Sequence, residues 1–552
     1  MSRISTAAAL AAATLAAVTP AAAAAANPIQ RENGRPGTPG WEIPAQAGTV
    51  ITGYASQTSV APGETFDLHV SAPAGARYRV LVYRLGWYRG VGGRLIRCVP
   101  GCSGTRSGVP QPRPTRPDPH SGLYVAPWSV TDHVRIPGDA VSGYYEAKLE
   151  IVSGTGAGAI GGVPLIVRER QPRAAVLIQI PVNTWQAYNP WGGKSLYGSG
   201  STHATEVSFN RPYDQPELHA MATALELPWI RFLERSGLDV AYQTDVDTDR
   251  APGSLLQHRL VFSIGHDEYW TQAMREAFDR ARSDSTNLMF GSNSDLWRIR
   301  YAAGRRTVVE WRNPYADPAR SWHQKTGFFR QFGEPECRLM AVEYEEFAQR
   351  GLNQPPTSFT VVGSARDPWL AAGGLKPGDT VAGVMGYEWD SLIPGCFHGQ
   401  VVPLMHAVSP GSDGVNRSAD MVRATSASGA RVFSLGTMEL AWVLDSYSGE
   451  PPDPRIQGFV RAALANLITP APPARLVIHH EGGALMVTAR LRAHDPRIIR
   501  VSLRPVRGAG GCVDALHRQC RLPIRHRAVS YAAVAVDAWG RSEPLTVKIR
   551  PG

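Results

Sequence analysis

After its first 26 residues, the 552-residue sequence has no apolar run close to the roughly 18 residues that a membrane-spanning helix needs. We therefore expect no membrane span. Lysine is also scarce, since nearly all of the 57 basic residues are arginine, and these are scattered without a dense run. The net charge of +10 therefore does not predict a nucleic-acid-binding segment. Hydrophobic residues make up 43% and charged residues 19% of the chain, which is typical of globular proteins.

Zinc-binding spacing is absent as well, because none of the six cysteines forms a CxxC motif. An even number of cysteines in an exported chain favours disulfides instead. Two pairs are close in sequence and would each close a short loop, which leaves one pair to close a long loop. We predict the disulfides Cys98–Cys102, Cys512–Cys520 and Cys337–Cys396.

The N-terminal residues have the pattern of an export signal. Arg3 provides a positive charge, Ala7 to Val18 is mostly apolar, and Ala21 to Ala26 offers small residues for cleavage. A flexible alanine-rich tail is the alternative interpretation. We expect the mature protein to be secreted.

The hydrophobic pattern changes twice along the chain. Short alternating strands such as Thr65 to Val70 occur first, strands that alternate with helices begin near Ala174, and short strands return after Pro473. This order predicts a multidomain protein with an N-terminal β-sandwich, a central doubly wound α/β sheet of the flavodoxin or amidotransferase type, and a C-terminal small β-sandwich. The predicted segments are a signal peptide (1–26), a Pro/Gly-rich arm (27–47), a β-sandwich domain (48–170), a central α/β domain (171–470) and an immunoglobulin-like β-domain (474–552).

Three ionisable residues in a row follow one apolar strand of the central segment. The strand Leu260 to Ile264 leads directly into Gly265-His266-Asp267-Glu268-Tyr269-Trp270. Ligands of α/β sheets bind beyond the carboxyl ends of the strands, so this block could bind a metal or move a proton. The alternative is that its acidic residues only stabilise the N-terminus of the following helix.

A second candidate is the loop from Asn183 to Tyr197, which combines amides, aromatic residues and paired glycines after the first central strand. Aromatic residues in a loop suggest a lined pocket, although they could equally pack on a neighbouring domain. Ser292 follows the fourth strand, but Phe290 and Ser294 occupy the glycine positions of the G-x-S-x-G motif of serine hydrolases. A glutamine-amidotransferase-like function would need a nucleophilic cysteine after that strand, and no cysteine follows it.

Several blocks together carry a family resemblance. They are Arg84-Leu85-Gly86-Trp87-Tyr88, Thr184 to Tyr197, Arg211-Pro212-Tyr213, Gly265 to Trp270 and Gly386 to Asp390. This combination resembles the large, catalytic subunit of N,N-dimethylformamidase and its relatives, over about Gly48 to Ile468. In that family a single ferric ion, held by two tyrosines and one glutamate, activates water to hydrolyse an amide.

The resemblance implies which residues hold the metal. Glu268 corresponds to the glutamate ligand, and Tyr188 to one tyrosine. The second tyrosine is expected from the preceding β-domain at Tyr145, with Tyr144 as the alternative. Phenolate and carboxylate oxygens are hard donors, which suit Fe(III) better than zinc.

The resemblance also implies the residues that move protons and the function. His266 corresponds to the family's histidine beside the metal, and Glu388 to its additional catalytic glutamate. The expected function is a secreted amidohydrolase with one Fe(III) per chain, acting on a small-molecule amide. The family's well-known enzyme works with a small partner subunit, which is not visible in this chain. The export signal, the disulfides and the C-terminal β-domain depart from the family pattern.

A non-enzymatic extracellular protein that binds carbohydrate on the same scaffold is the alternative function. In that case Trp185, Trp191 and Trp270 would stack on sugar rings. Convergence of the two tyrosines and Glu268 within metal-ligand reach distinguishes the two functions.

The leader and the cysteines generate the first prediction. We expect the mature protein to begin close to Asn27 and to contain paired cysteines. Intact mass and peptide mapping of the secreted protein measure both properties. Six free thiols in the exported protein would contradict the predicted disulfides.

Overall fold

The structure is a computed structural model that describes residues 25–113, 116–348, 357–481, 484–492, 495–506, 512–514, 519–523 and 528–549. The predicted leader therefore lies almost entirely outside the described residues. No helix among the described residues is long and apolar enough to cross a membrane. The α-helices are Pro28–Asn33, Val182–Tyr188, Gln215–Leu218, Leu227–Arg235, Asp245–Arg250, Gln272–Ser283, Cys337–Met340, Pro368–Ala372 and Pro454–Leu467.

Two sheets, whose strands are mostly antiparallel, enclose one hydrophobic core in the N-terminal part of the chain. Thr65–Ser71 alternates between exposed and buried positions, as its sequence predicts for a strand with one buried face. The smaller sheet contains Thr52–Ala55, Thr65–Ser71 and Asp132–Arg135. The larger sheet contains Ser59–Val60, Ile160–Val167, Gly143–Ser153, Arg77–Leu85 and Gly93–Val99, with Arg106–Ser107 paired to Arg77–Leu85.

The centre of the chain forms a nine-stranded mixed sheet. Its first five strands in spatial order are mutually parallel, and its last four are antiparallel. The order is Val240–Thr244, Val176–Ile180, Leu260–Ser263, Asn287–Phe290, Arg431–Ser434, Asn416–Ser426, Gly399–Pro410, Thr357–Val361 and Thr380–Met385.

The predicted doubly wound α/β fold class is therefore wrong. Strand residues (36%) outnumber helical residues (21%), so the chain is mainly β. Within the predicted central α/β domain, Val381 to Val384 lies in a strand that pairs antiparallel with Thr357–Val361. A short apolar run has the same appearance in a parallel and an antiparallel strand, so its pattern does not reveal its direction.

Smaller sheets surround this sheet. One contains Glu206–Ser208, Thr307–Val309, Trp297–Ala302 and Tyr269–Thr271, with Gly327–Phe328 at its side, and Val342–Phe347 pairs with Glu388–Leu392. The C-terminal strands form a three-stranded sheet of Arg475–Glu481, Ala484–Arg490 and Gln519–Pro523. They also form a four-stranded sheet of Cys512–Asp514, Arg500–Pro505, Val529–Val536 and Leu545–Ile549.

Two of the three predicted disulfides are confirmed. Cys98 is bonded to Cys102, and Cys337 is bonded to Cys396 across 59 residues. The third predicted pair, Cys512 and Cys520, has side chains outside the described part of the structure.

A buried ion pair joins the N-terminal sheets to the helix Leu227–Arg235. The Arg84 guanidinium donates to both carboxylate oxygens of Glu234 at 2.7 and 3.1 Å, and both side chains are fully buried. Tyr242 and Asn33 also donate to Glu234. These donors satisfy a carboxylate that would otherwise carry a large desolvation cost.

This pair generates a stability prediction. Arg84→Met leaves the Glu234 carboxylate buried without its counter-ion and should destabilise the protein by about 3–5 kcal/mol. Arg79→Met is the matched control, because Arg79 and Glu150 form a partly exposed pair at 2.8 Å whose loss should cost about 0–1 kcal/mol. Urea unfolding midpoints of the two variants measure the difference. Equal midpoints would show that the buried pair does not stabilise the contact.

Candidate metal and proton-transfer site

The site forms where two neighbouring strand ends approach each other. Gly265, which has a φ of +65°, lies two residues after the strand Leu260–Ser263, and Gly291 directly follows the strand Asn287–Phe290. A Cβ on Gly291 would lie 2.0 Å from the carbonyl oxygen of Gly265, so only glycine permits this contact. The approach places the residues after each glycine side by side.

His266 lies between two carboxylates. Its Nε2 is 3.2 Å from Oε2 of Glu268 and 3.6 Å from Oε2 of Glu388. All three side chains are almost completely buried. Asn293, from the second glycine loop, donates its side-chain amide to Oε2 of Glu388. Three of the residues predicted as site residues therefore meet here.

Two stacked tyrosines complete the cluster. The rings of Tyr188 and Tyr197 are 3.8 Å apart between centroids. The Tyr188 hydroxyl lies 3.2 Å from Nε2 of His266 and 3.5 Å from Oε1 of Glu388. The Tyr197 hydroxyl donates to Oε2 of Glu268. Two phenol oxygens and two carboxylates thus converge around one imidazole.

The side chains of Arg312 and Trp297 pack on the far side of the Tyr197 ring. The Arg312 guanidinium lies between the rings of Tyr197 and Trp297, 4.4 and 4.5 Å from their centroids, and donates to the Tyr269 hydroxyl at 3.0 Å. The indole N–H of Trp297 donates to Oε1 of Glu268 at 2.9 Å. These contacts hold Tyr197 and Glu268 in one orientation.

Burial and like charge perturb the acidity of the whole cluster. Burial and the neighbouring Glu268 raise the pKa of both Tyr188 and Tyr197 well above 10. Burial also raises the pKa of the Glu388 carboxyl, despite the opposing effect of His266. Burial acts in the same direction on Glu268, but His266 and the hydrogen bond from Tyr197 outweigh it and lower its pKa. The cluster therefore has more acidic groups than nearby cations.

The structure does not bring Tyr145 to this cluster. Its hydroxyl donates to the carbonyl oxygen of Val141 at 2.7 Å, and its ring packs in the core of the N-terminal sheets. Tyr144 faces the other side of the strand, with its ring 5.9 Å from that of Trp185. Alternation along Gly143–Ser153 sends the two rings to opposite faces, and each face is already packed.

The tyrosine that contacts Glu268 is Tyr197, whereas Tyr145 was expected beside this glutamate. Tyr197 lies at the end of the Thr184–Tyr197 block, so its segment was identified but its role was not. The signal that could have found it is the pair of phenols at Tyr188 and Tyr197 within one loop. Which of several tyrosines reaches Glu268 depends on how the loop folds back after Trp191.

The other candidates have local structural partners. Ser292 is fully buried and donates to Oδ1 of Asp390 at 2.9 Å. Asp267 accepts hydrogen bonds from Gln179 and Ser263 at 2.6 and 2.7 Å. Neither side chain contacts the tyrosines among the described residues.

The aromatic residues proposed to stack on sugars are also packed. Trp185 and Trp270 are 2% and 0% exposed, and Trp191 packs edge-on against Trp128. Two of the three rings therefore have no face available to a ligand, which removes the support for carbohydrate stacking in this loop region.

The donor set fits a hard metal ion. No group of three or more His, Cys, Asp and Glu side chains with metal-binding arrangement occurs among the described residues, so a site here requires the phenol oxygens. Tyr188, Tyr197 and Glu268 offer phenol and carboxylate oxygens in one cluster, and such hard donors suit a trivalent cation better than zinc. A cation would also offset the surplus of acidic groups.

Comparison with known proteins identifies a family. Residues 79–453, about two thirds of the chain, match the family model described as N,N-dimethylformamidase beta subunit-like, C-terminal. No curated protein matches.

The solved structures found are only weakly similar. A two-domain fibronectin type-III segment from chicken tenascin is 12% identical, covers 38% of this chain and 98% of its own, and has a TM-score of 0.13. The FN1-FN3 domains of chicken CNTN1 are 8% identical, cover 91% of this chain and 98% of their own, and also have a TM-score of 0.13. Scores this low carry no argument about the fold.

The site generates a prediction about pH. In the metal-free protein, burial lowers the pKa of His266, but Glu388 and Glu268 outweigh burial and raise it from 6.5 to about 9. A raised pKa gives stabilisation that is complete below pH 6.5 and is lost as the pH rises through about 9. The advantage of wild type over His266→Gln in unfolding midpoint should therefore decline across this range.

His258→Gln is the matched control for this measurement. Burial lowers the pKa of His258 to about 4, so its imidazole stays neutral throughout the range. The difference between wild type and His258→Gln should not change with pH. If the difference in unfolding midpoint between wild type and His266→Gln stayed constant from pH 6.5 to 9, it would contradict a positively charged His266 in the folded protein.

Proposed function

Since this chain belongs to the N,N-dimethylformamidase beta subunit-like family, we propose that it is a metal-dependent amide hydrolase. We assign the ferric ion to Tyr188, Tyr197 and Glu268, with His266 and Glu388 as the residues that move protons. The observation that carries the proposal is a buried cluster in which the Tyr197 hydroxyl donates to Glu268 and the Tyr188 hydroxyl contacts His266 and Glu388. The substrate class is a small-molecule amide.

The surplus of acidic groups supports a cation at this point. Glu268 and Glu388 approach the same Nε2 of His266, and both tyrosine hydroxyls lie next to them. Burying several acidic oxygens together is costly unless they are protonated or neutralised. A bound ferric ion would supply Lewis acidity toward an amide carbonyl and toward water.

The chain's own residues provide the proton path. Nε2 of His266 lies 3.6 Å from Oε2 of Glu388, so a proton can pass between this imidazole and the Glu388 carboxylate. Glu388, whose pKa is raised by burial, can hold a proton and donate it to the nitrogen of the leaving amine. Asn293 orients Glu388 by donating to its Oε2.

Neighbouring residues limit movement of the ligands. Trp297 donates to Oε1 of Glu268, and the Arg312 guanidinium packs between this indole and the Tyr197 ring. The backbone N–H of Glu268 donates to Oγ1 of Thr184, which ties the glutamate to the helix that carries Tyr188. Fixed ligands reduce the reorganisation needed when substrate binds.

We also propose that the protein acts outside the cytoplasm. The disulfides Cys98–Cys102 and Cys337–Cys396 support this location, because disulfides persist in oxidising compartments. The leader-like residues 1–26 give the same indication.

Iron binding tests the assigned ligands directly. After loading with ferric iron, wild type should bind about one ion per chain and show a visible phenolate-to-iron absorption band. Tyr188→Phe, Tyr197→Phe and Glu268→Gln should each lower iron affinity by at least ~10-fold, since even partners of a ligand contribute that much. Metal analysis and absorption spectra measure binding, and amide hydrolysis should fall in parallel.

Tyr145→Phe is the control, because it removes a phenol that lies in a separate core. Its iron content and spectrum should equal those of wild type. Loss of iron in Tyr145→Phe but not in Tyr197→Phe would contradict the ligand set. A wild-type protein that binds no iron and hydrolyses no amide would overturn the proposed function.

A further inference from the structure

A groove runs beside the strand Trp297–Ala302. Its volume is about 540 Å³, which is within the range of small-molecule binding sites. The strand and the N-terminus of the helix Gln272–Ser283 form two of its walls. Loop residues 303–305 and 323–325 form most of the remaining lining. The groove is therefore large enough to hold a small organic molecule.

The same strand separates this groove from the metal cluster. Trp297 donates its indole N–H to Glu268, whereas Arg298, the next residue, lines the groove. Successive side chains of a strand point to opposite faces of its sheet. None of the three proposed metal ligands is among the residues that line the groove. The groove is therefore distinct from the metal cluster.

Positive charge exceeds negative charge in the groove. Four arginine and lysine side chains line it, namely Arg298, Arg300, Arg305 and Lys325. Asp249 also lines the groove and pairs with Arg305, and Asp317 pairs with Arg300. Among the described residues, Arg298 and Lys325 have no carboxylate partner within ion-pair distance. Two positive charges therefore remain without a counter-ion.

Arg298 is held in place but keeps free hydrogen-bond donors. It is 4% exposed, and its guanidinium lies 4.2 Å from the centroid of the Phe332 ring. Its Nη2 donates to the carbonyl oxygens of Trp322 and His323. No hydrogen bond of its Nε or Nη1 occurs within the described part of the chain. These two nitrogen atoms can therefore donate to a ligand in the groove.

Nearby acidic residues do not compensate for the burial of Arg298. Burial lowers the pKa of its guanidinium, and the opposing effects of Glu334 and Glu276 are smaller. Both of these carboxylates instead accept hydrogen bonds from the side-chain amide of Gln272. A buried cation without a counter-ion is costly, and an anion in the groove would reduce this cost.

The helix and Lys325 add further donors to the same groove. Gln272 and Ala273, the first residues of the helix Gln272–Ser283, line the groove, and N–H groups in the first turn have no partner within a helix. The partial positive charge of a helix N-terminus also attracts anions. The Lys325 ammonium donates to the carbonyl oxygen of Asp317 at 2.7 Å, which leaves two of its three N–H groups for a ligand.

We propose that this groove binds a small organic molecule through a doubly charged oxyanion, as in a phosphate or sulfate ester. Arg298 and Lys325 supply two positive charges, and a guanidinium matches the oxygen atoms of such a group. Ile299 and Tyr301 also line the groove and suit the organic part of the ligand. The inference does not depend on the metal site, because no proposed metal ligand lines the groove.

Titration of the full-length protein with inorganic phosphate and with inorganic sulfate, at an ionic strength held constant with NaCl, tests the proposal. Wild type should bind about one ion per chain by calorimetry, and the ion that binds more tightly identifies the ester. Arg298→Met and Lys325→Met should each weaken this affinity by ~10-fold or more, because each removes a charge-assisted hydrogen bond. Lys325 is only partly buried, so Lys325→Met decides the test if Arg298→Met does not fold.

Lys376→Met is the matched control, because Lys376 is an exposed lysine outside the groove. It should leave the affinity for phosphate and sulfate unchanged. Tyr188→Phe should also leave it unchanged, and a loss there would assign the anion to the metal cluster and overturn the proposal. Equal weakening by Lys325→Met and Lys376→Met, no saturable binding of either ion, or acetate binding as tightly as phosphate and sulfate would each overturn it as well.

Discussion

The close contact between Gly265 and Gly291 is the constraint on which the site depends. Because Gly291 carries no Cβ, its backbone can approach the carbonyl oxygen of Gly265, and the residues that follow the two parallel strands enter the same small volume. His266 and Glu268 come from one loop, and Asn293 comes from the other. Glu388 reaches them from the separate two-stranded antiparallel sheet that Glu388–Leu392 forms with Val342–Phe347, which no local pattern could have placed there.

Charge is balanced differently in three parts of the molecule. Between the N-terminal sheets and the helix Leu227–Arg235, the buried charges of Arg84 and Glu234 balance each other. The candidate site instead collects acidic oxygens around His266, with Arg312 as the nearest arginine to Tyr197 and Glu268. Residues 474–552 carry a net charge of +9 in the sequence. Acidic oxygens that are buried together must be protonated or neutralised, and a cation at the candidate site would neutralise them.

The sequence allowed correct prediction of those clustered residues that lie in short segments rich in ionisable and aromatic side chains. The Gly265–Trp270 block, Tyr188 and Glu388 were identified from their positions after apolar strands and from a family resemblance, and the structure brings them together. The choice of Tyr145 was not supported by the structure, since its side chain points into a core that its own strand helps to build. Nothing local distinguishes a tyrosine that fills a core from one that reaches a distant carboxylate.

The sequence by itself determined the family, two disulfide pairs and the segment that carries the site, because each depends on residue types at short spacing or on a long matched pattern. Only the tertiary structure decided the strand directions and the partner of Glu268. Both are set by packing between residues that are far apart in the chain: Tyr197 and Glu268 are separated by 71 positions. Backbone periodicity reports whether a residue is buried, but the loop path and the sheet order decide what it is buried against.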